Sequence, residues 1–230
     1  MHPIIERARN EGRAVLTEVE SKEILGQAGI NVVPTKLAVS KEEAVAVSRA
    51  LGFPVVIKIA SPDIVHKSDA GGIRLGLEDE EQVEQAYDSL MTDIRAKYPE
   101  AVLQGVSVQR MAPPGVEIII GMSTDAQFGP VIMFGLGGVW VEILDDTSLR
   151  VAPITRRDAG EMIKEIRGFP MLTGYRGQGP VDIRKLEAML LALSDFVGQN
   201  PSVREIDLNP VIASSNDAVA VDARIVLDEL

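Results

Sequence analysis

The stretch of the chain that best suggests chemistry is the polar loop IVHKSDAGGIRL, residues 64 to 75. It holds His66, one of only two histidines in 230 residues, followed directly by Lys67. A neutral imidazole keeps a free ring nitrogen near pH 7 and can accept a phosphoryl group. The loop alone leaves four interpretations open: a solvent-exposed residue, a hydrogen-bonding support, a metal ligand or a nucleophile. A zinc site is poorly supported, because the chain has no cysteine and no second histidine lies nearby.

The glycines of the same loop favour phosphate binding. Gly71 and Gly72 permit positive φ or close backbone approach, and free N–H groups there would bind phosphate oxygens. The loop is not a P-loop, because the pattern GxxxxGK[ST] is absent.

Two charged residues interrupt strongly apolar, strand-like runs. Lys58 lies within VVIKIAS, where it either extends to solvent at a strand edge or points into a cleft and binds a phosphate. Glu117 lies within PGVEIIIGM, where it either binds a donor such as a ribose hydroxyl or faces solvent on a sheet with one wet face.

Four oxygen-bearing side chains lie close together near the end of the chain: Glu205, Asp207, Asn209 and Asp222. The period of two along a strand places Asp207 and Asn209 on one face, and a hairpin would bring Asp222 opposite them. Oxygen ligands of this kind suit Mg²⁺, which keeps several waters and is completed by substrate phosphates. Each acidic residue alone is more often part of a solvated face.

The elements that position these residues follow from hydrophobic periodicity. The helices are predicted over residues 15–28, 41–51, 79–96, 155–167 and 182–199, the second beginning with the capping box SKEE at Ser40. Strands are predicted between them, including 139–145 and a closing pair, VREIDLNPVIASS and AVAVDARIVL. FGLGGVWVE is followed by a strand-like run, so we expect a tight glycine turn against a ligand or a neighbouring strand, and no Rossmann site. The pattern predicts two interleaved α+β lobes with a ligand cleft between them.

Composition excludes several classes of function. The net charge of −11 and a pI of about 4.7 disfavour nucleic-acid binding, although a locally positive pocket can still hold a small anion. No run approaches the roughly 18 to 20 apolar residues that span a bilayer, and the N-terminus has no apolar leader core. We therefore expect a cytoplasmic protein that binds no membrane.

Several of these motifs together resemble the ATP-grasp fold. They are Lys58 in its strand, the His-Lys-Ser-Asp-Ala-Gly-Gly loop, Glu117 after a Pro-Pro-Gly turn, and EIDLNP near the C-terminus. More narrowly, the chain is similar to the β subunits of ADP-forming acetate–CoA ligases, which are relatives of the succinyl-CoA synthetase β subunit. The similarity begins near residue 15, and its most specific phrases are SPDIVHKSDAGGI, EIDLNPVI and GYRGQGPVD.

The resemblance implies an α+β ATP-grasp domain over residues 1–230. Its lobes would be 28–110 and 1–27 plus 111–230, and they would bind ADP or ATP with Mg²⁺. A separate CoA-binding α subunit would form the acyl phosphate, in an assembly that the family makes α₂β₂. The 230 residues leave no room for those modules beside a grasp domain.

The resemblance also implies a role for individual residues. His66 would relay the phosphoryl group to ADP, with Asp207 steadying the phosphohistidine. The nucleotide would be bound by Lys58, Lys67, Gly71, Gly72, Gln109 and Glu117, with Gln109 at the adenine side and Glu117 on the ribose. Asn209 and Asp222 would bind the metal. Two other functions stay open: a free-standing ATP-grasp carboxylate ligase, and a nucleotide-sensing grasp domain without catalysis.

Overall fold

The computed structural model of the protein describes residues 2–64, 67–138, 146–175 and 179–228. His66, the predicted strand 139–145 and the centre of GYRGQGPVD lie outside these residues. The described elements are, in chain order, α1 (Pro3–Asn10), α2 (Glu18–Gln27), β1 (Thr35–Ala38), α3 (Lys41–Leu51), β2 (Val55–Ala60), β3 (Ile73–Leu77), α4 (Glu80–Lys97), β4 (Gly105–Arg110), β5 (Val116–Asp125), β6 (Gly129–Leu136), β7 (Thr147–Val151), α5 (Arg156–Glu165), α6 (Phe169–Leu172), α7 (Ile183–Gln199), β8 (Val203–Ala213), β9 (Ala218–Ala220) and β10 (Arg224–Leu227).

The chain folds into two compact units. One comprises residues 33–111, and the other comprises residues 1–32 and 112–230. In the described ranges, no helix is both long enough and apolar enough to cross a membrane.

The unit 33–111 is a four-stranded antiparallel sheet in the order β1-β4-β2-β3, covered by α3 and α4. Its core forms where alternate strand residues meet the helices, as Ile57 and Val108 do when they pack with Leu90. Alternation then turns the intervening side chains of β2 and β4 to the other face of the sheet.

The other unit is built on a six-stranded antiparallel sheet. Five strands follow the order β10-β8-β5-β6-β7, and β9 pairs with the C-terminal part of β8. Helices α5 and α7 pack together against β6, and the side chains of Phe134, Met162 and Leu190 are buried in this core. The intervening residues of β5 and β8 lie on the opposite face of the sheet. This face carries Glu117 and Asp207, two of the site residues predicted from the sequence.

Side-chain caps fix where the helices begin. Ser40 accepts the Glu43 N–H at 3.2 Å and starts α3 as predicted. The Glu43 carboxylate accepts the N–H of Val39 at 2.7 Å, so the second half of the predicted capping box is displaced by one residue. Thr17 and Glu20 form a complete capping box, which starts α2 later than the predicted residue 15.

The predicted strand AVAVDARIVL is wrong as a single element. It divides into β9 and β10, which pair with different parts of β8, and Asp222 lies in the break. The break lies level with Pro210, which has no N–H to donate to a ladder. The Val221 N–H still donates to the Pro210 carbonyl at 2.9 Å, so the segment between the two strands stays attached to β8.

Candidate functional site

Lys58 is a buried cation on a polar face of the unit 33–111. Val55, Ile57 and Ile59 of β2 enter the core, so Lys58 points the other way, and it is only 3% exposed. In the ladder it lies opposite Ser107 of β4. The structure therefore excludes the interpretation in which Lys58 extends to solvent.

Gln109 lies on the same face of the sheet as Lys58, two residues after Ser107 on β4. It is opposite Val56 on β2 and opposite Thr35 on β1. The Thr35 hydroxyl donates to the Val33 carbonyl at 2.9 Å and lies 3.3 Å from the Gln109 carboxamide oxygen. Gln109 is 1% exposed, so this face of the sheet carries a buried carboxamide as well as the buried ammonium of Lys58.

The loop that carries His66 is anchored on both sides of it. Before it, Ile64 is buried in the core, and the Asp63 carboxylate accepts the Val102 N–H at 2.7 Å. After it, the Gly72 N–H donates to the Lys67 carbonyl at 2.7 Å, and the Gly72 carbonyl accepts the Ile59 N–H at 2.8 Å. His66 itself lies outside the described residues, while the half-buried Lys67 begins the turn that closes the loop.

The two glycines of this loop serve its local geometry. Gly71 has a φ of +74°, which favours glycine. A Cβ at Gly72 would lie 2.6 Å from the Ile59 Cγ2 atom. Both N–H groups donate within the turn, to Ser68 and Lys67, so the prediction that they are free for phosphate is wrong in this structure. The assignment of Gly71 and Gly72 to nucleotide binding stays a prediction.

Glu117 lies on the exposed face of the other unit. It projects from β5 between the buried residues Val116 and Ile118, so burial imposes no need for a cation beside it. The Gly137 N–H donates to the Glu117 carbonyl at 2.7 Å, and a Cβ at Gly138 would lie 2.8 Å from Glu117 Oε2. Gly137 and Gly138, the described part of the predicted glycine turn, therefore lie against β5 and next to Glu117.

Asp207 and Asn209 share the exposed face of β8, because Ile206 and Leu208 point into the core. In the two ladders Asp207 lies opposite Gly121 of β5 and Arg224 of β10. Gly121 has no side chain, and the Met133 side chain of β6 lies over it, with its Cε 3.2 Å from an ideal Cβ at Gly121.

Asp222 lies level with Asn209. The pairs Ala220 with Val211 and Arg224 with Asp207 flank the break, and the register between them places Asp222 beside Asn209. The Asp222 carboxylate accepts the Ala223 N–H at 2.8 Å. Among the described residues no group of three or more acidic or histidine side chains converges.

One carboxylate and one carboxamide on neighbouring backbone segments form an oxygen-donor set. Such a set fits Mg²⁺, which takes one or two protein ligands and completes its shell with waters and substrate phosphates. Asn209 and Asp222 are therefore chemically suited to the role that the resemblance implies for them.

The sequence missed several polar neighbours of the predicted residues. Thr35 and Ser107 share the face of Lys58, and in GVSVQR the alternation of Ser107 and Gln109 with valines is a signal for Ser107. The buried pair Glu18 and Lys22 contacts the segment before Asp222, and nothing local in the sequence indicates that contact.

Comparison with known proteins assigns the chain to a class. The sequence model of the ATP-grasp domain matches residues 7–227. The chain is 49% identical to subunit beta of ADP-forming acetate–CoA ligase I from Pyrococcus furiosus, over 97% of this chain and 96% of that one. It is 43% identical to ADP-forming acetate–CoA ligase I of Archaeoglobus fulgidus, over 98% of this chain but only 33% of that longer protein.

Solved structures of one relative agree in fold. They are of the dinucleotide-forming acetyl-coenzyme A synthetase 1 of Ca. Korarchaeum cryptofilum. One, with coenzyme A and Ca-AMPCP, has a TM-score of 0.96 and 47% identity over 97% of this chain and 98% of that one. Another holds coenzyme A and Mg-AMPPCP with its phosphohistidine segment pointing towards the nucleotide-binding site, at a TM-score of 0.87 and 45% identity over 98% of each chain.

The chain belongs to the ATP-grasp family, in the group that contains the β subunits of ADP-forming acetate–CoA ligases. The predicted family and the α+β ATP-grasp fold are confirmed.

Proposed function

We propose that the chain is the nucleotide-binding β subunit of an ADP-forming acyl-CoA synthetase. The complete enzyme would convert acetyl-CoA, ADP and phosphate reversibly into acetate, CoA and ATP. The observation that carries the proposal is the near-full-length similarity to a β subunit of that activity. The buried Lys58 supports it, because an ammonium on a polar face is suited to hold nucleotide phosphates.

In this proposal, separate residues bind the phosphates, the adenine and the ribose of the nucleotide. Lys58 and Lys67 offset the phosphate charge, and Gln109 contacts the adenine side. Glu117 accepts hydrogen bonds from the ribose hydroxyls, which its exposed position on β5 permits. The turn formed by Gly71 and Gly72 holds the loop close to β2, as its hydrogen bond to Ile59 indicates.

Asn209 and Asp222 hold Mg²⁺ through their oxygen atoms. When bound, the ion offsets negative charge on the phosphates during phosphoryl transfer. The complex of a close relative with Mg-AMPPCP supports this assignment.

His66 carries the phosphoryl group. A free ring nitrogen of the neutral imidazole attacks the phosphorus of a donor phosphohistidine, so one P–N bond forms as another breaks. A terminal oxygen of ADP then attacks the same phosphorus, which forms the P–O bond of ATP and breaks the P–N bond to His66. Asp207 accepts a hydrogen bond from the other ring nitrogen, so the ring keeps that proton and leaves as neutral imidazole.

The remaining chemistry belongs to a CoA-binding α subunit, in an assembly that we propose to be α₂β₂. The name of the Pyrococcus relative as subunit beta supports a partner. So does the match to only a third of the longer Archaeoglobus protein, which carries further chain beside the matching region.

Reconstitution tests this function. The purified chain is mixed with its CoA-binding partner, acetyl-CoA, ADP, phosphate and Mg²⁺, and ATP is measured by luminescence. We expect ATP only when both subunits are present and none with His66→Ala. A stable complex of folded subunits that makes no ATP from any of several acyl-CoA substrates would contradict the proposal.

A further inference from the structure

Helix α2 contains an ion pair that is almost completely buried. The Lys22 ammonium lies 2.9 Å from the Glu18 carboxylate, four residues earlier, and the two side chains are 3% and 4% exposed. The neighbouring acid of this helix, Glu20, pairs instead with Arg7 and Arg13, which are partly exposed.

Burying the Lys22–Glu18 pair is not explained by stability. Removing two charges from water costs several kcal/mol for each ion, and apolar replacements of a buried pair are often equally stable or better. A buried pair indicates a further role when one of its members also makes a directed hydrogen bond outside the pair. Lys22 makes such a bond to Val221.

Lys22 Nζ donates a second hydrogen bond, of 2.6 Å, to the carbonyl of Val221. The two residues are 199 positions apart in the chain. Val221 directly precedes Asp222, in the break between β9 and β10. A charge-assisted bond of this kind is about twice as strong as a neutral one.

Both backbone polar groups of Val221 are therefore held. Its N–H donates to the Pro210 carbonyl at 2.9 Å, and its carbonyl accepts from Lys22. The carbonyl belongs to the peptide that leads into Asp222, so its orientation sets the direction from which the Asp222 side chain starts. The Asp222 carboxylate is then oriented further by the Ala223 N–H at 2.8 Å.

We infer that Lys22, held by Glu18, is a positioning residue for Asp222 that sets the affinity of the metal–nucleotide site. This inference rests on the proposed function, in which Asp222 is a metal ligand. Residues that orient metal ligands typically change metal affinity about 10- to 100-fold when they are replaced. The pair thus connects α2 to the segment that carries Asp222, the proposed metal ligand.

The test uses the full chain and Mn²⁺ as the probe, with binding followed by electron paramagnetic resonance in the presence of ADP. The main variant combines Lys22→Met with Glu18→Gln, which removes both charges and leaves no unpaired ion in the core. We expect about 10- to 100-fold weaker Mn²⁺ binding, with the affinity for ADP in EDTA unchanged. Glu18→Gln alone keeps an oxygen that accepts from Lys22, and should give a smaller loss in the same direction.

Two reference variants separate the possible results. Glu20→Gln removes a different acid of the same helix and should lower stability without changing Mn²⁺ affinity. Asp222→Asn should weaken Mn²⁺ binding strongly.

A folded double variant with wild-type Mn²⁺ affinity overturns the inference while leaving the proposed function intact, provided that Asp222→Asn is impaired. If the double variant does not fold, wild-type Mn²⁺ affinity of Glu18→Gln overturns it equally. A wild-type chain that binds neither ADP nor Mn²⁺–ADP overturns the proposed function together with the inference.

Discussion

Lys58 of β2 lies directly opposite Ser107 of β4 in the antiparallel ladder, and the two residues are 3% and 2% exposed. A lysine in this setting is desolvated, so its attraction for an anion is stronger than at the surface. The sheet fixes its position more firmly than a loop would.

Replacing Lys58 should weaken nucleotide binding while keeping the fold. Lys58→Met retains apolar volume in β2 and removes the charge, so we expect about 10- to 100-fold weaker ADP binding in calorimetry, the loss of one charged hydrogen bond. Lys36→Met is the matched control, because Lys36 is an exposed lysine of the same sheet. Equal losses in the two variants would refute the role of Lys58.

Glu117 should contribute to nucleotide affinity through the ribose hydroxyls. Glu117→Ala is expected to weaken ADP binding at least about 10-fold, because a hydroxyl loses its charged acceptor. The same variant should bind 2′,3′-dideoxy-ADP as wild type does. Calorimetry with both nucleotides measures the difference, and an equal loss for both would show that Glu117 acts other than through the ribose hydroxyls.

The loop glycines should differ in what they tolerate. Gly72→Ala places a Cβ 2.6 Å from Ile59 Cγ2, and overpacking of this kind costs about 1–3 kcal/mol. Gly71 has open space around it but a φ of +74°, so Gly71→Asn should be tolerated better than Gly71→Ala. Urea unfolding measures all three variants. Gly72→Ala as stable as wild type would show that β2 moves to admit the methyl group.

Glu20 should make the free energy of unfolding depend on pH in the acidic range. Burial alone would raise the pKa of Glu20, but hydrogen bonds from Arg13 and Thr17 outweigh it and lower the pKa from 4.5 to about 2. Because the folded pKa lies below the unfolded one, this stabilisation is complete above pH 4.5 and is lost as the pH falls to about 2. Partial exposure of the arginines reduces it to about 1–2 kcal/mol.

Glu20→Gln should therefore be less stable than wild type at pH 7, and the difference should shrink as the pH falls from 4.5 towards 2. Urea unfolding across this range measures it. Glu161→Gln removes an exposed acid paired with Arg157 and should change stability little at any pH. A Glu20 difference that stays constant with pH would contradict the assigned pKa.

The fold can be predicted from the sequence where the hydrophobic periodicity and the helix caps agree. Helix α3 has the predicted bounds, residues 41–51, with its cap at Ser40, and the apolar run VVIKIAS predicts the strand β2. Helix α1 was not predicted, because its cap is the ring nitrogen of His2, which accepts the Ile4 N–H at 3.3 Å. Helix α6 is only four residues long, too short to show a period.

The site can be predicted along each strand, and across strands only where a short hairpin joins them, as for Asn209 and Asp222. Asp207 and Asn209 share a face simply because they are two residues apart. That Gly121 lies beside Asp207, or Ser107 beside Lys58, depends on the register of strands that are distant in sequence. The contact of Lys22 with Val221 crosses 199 residues, and no local pattern encodes it.

The most direct test of the proposed relay is to identify which residue of the chain becomes phosphorylated. The full chain is incubated with Mg²⁺ and ATP radiolabelled on its γ-phosphate, and acid-labile, base-stable label on the protein is measured. The chain has only two histidines, so His2→Ala is the matched control for His66→Ala. We predict label on wild type and on His2→Ala, and none on His66→Ala. Equal label on His66→Ala, or none on a wild-type chain that binds ATP, would contradict the relay.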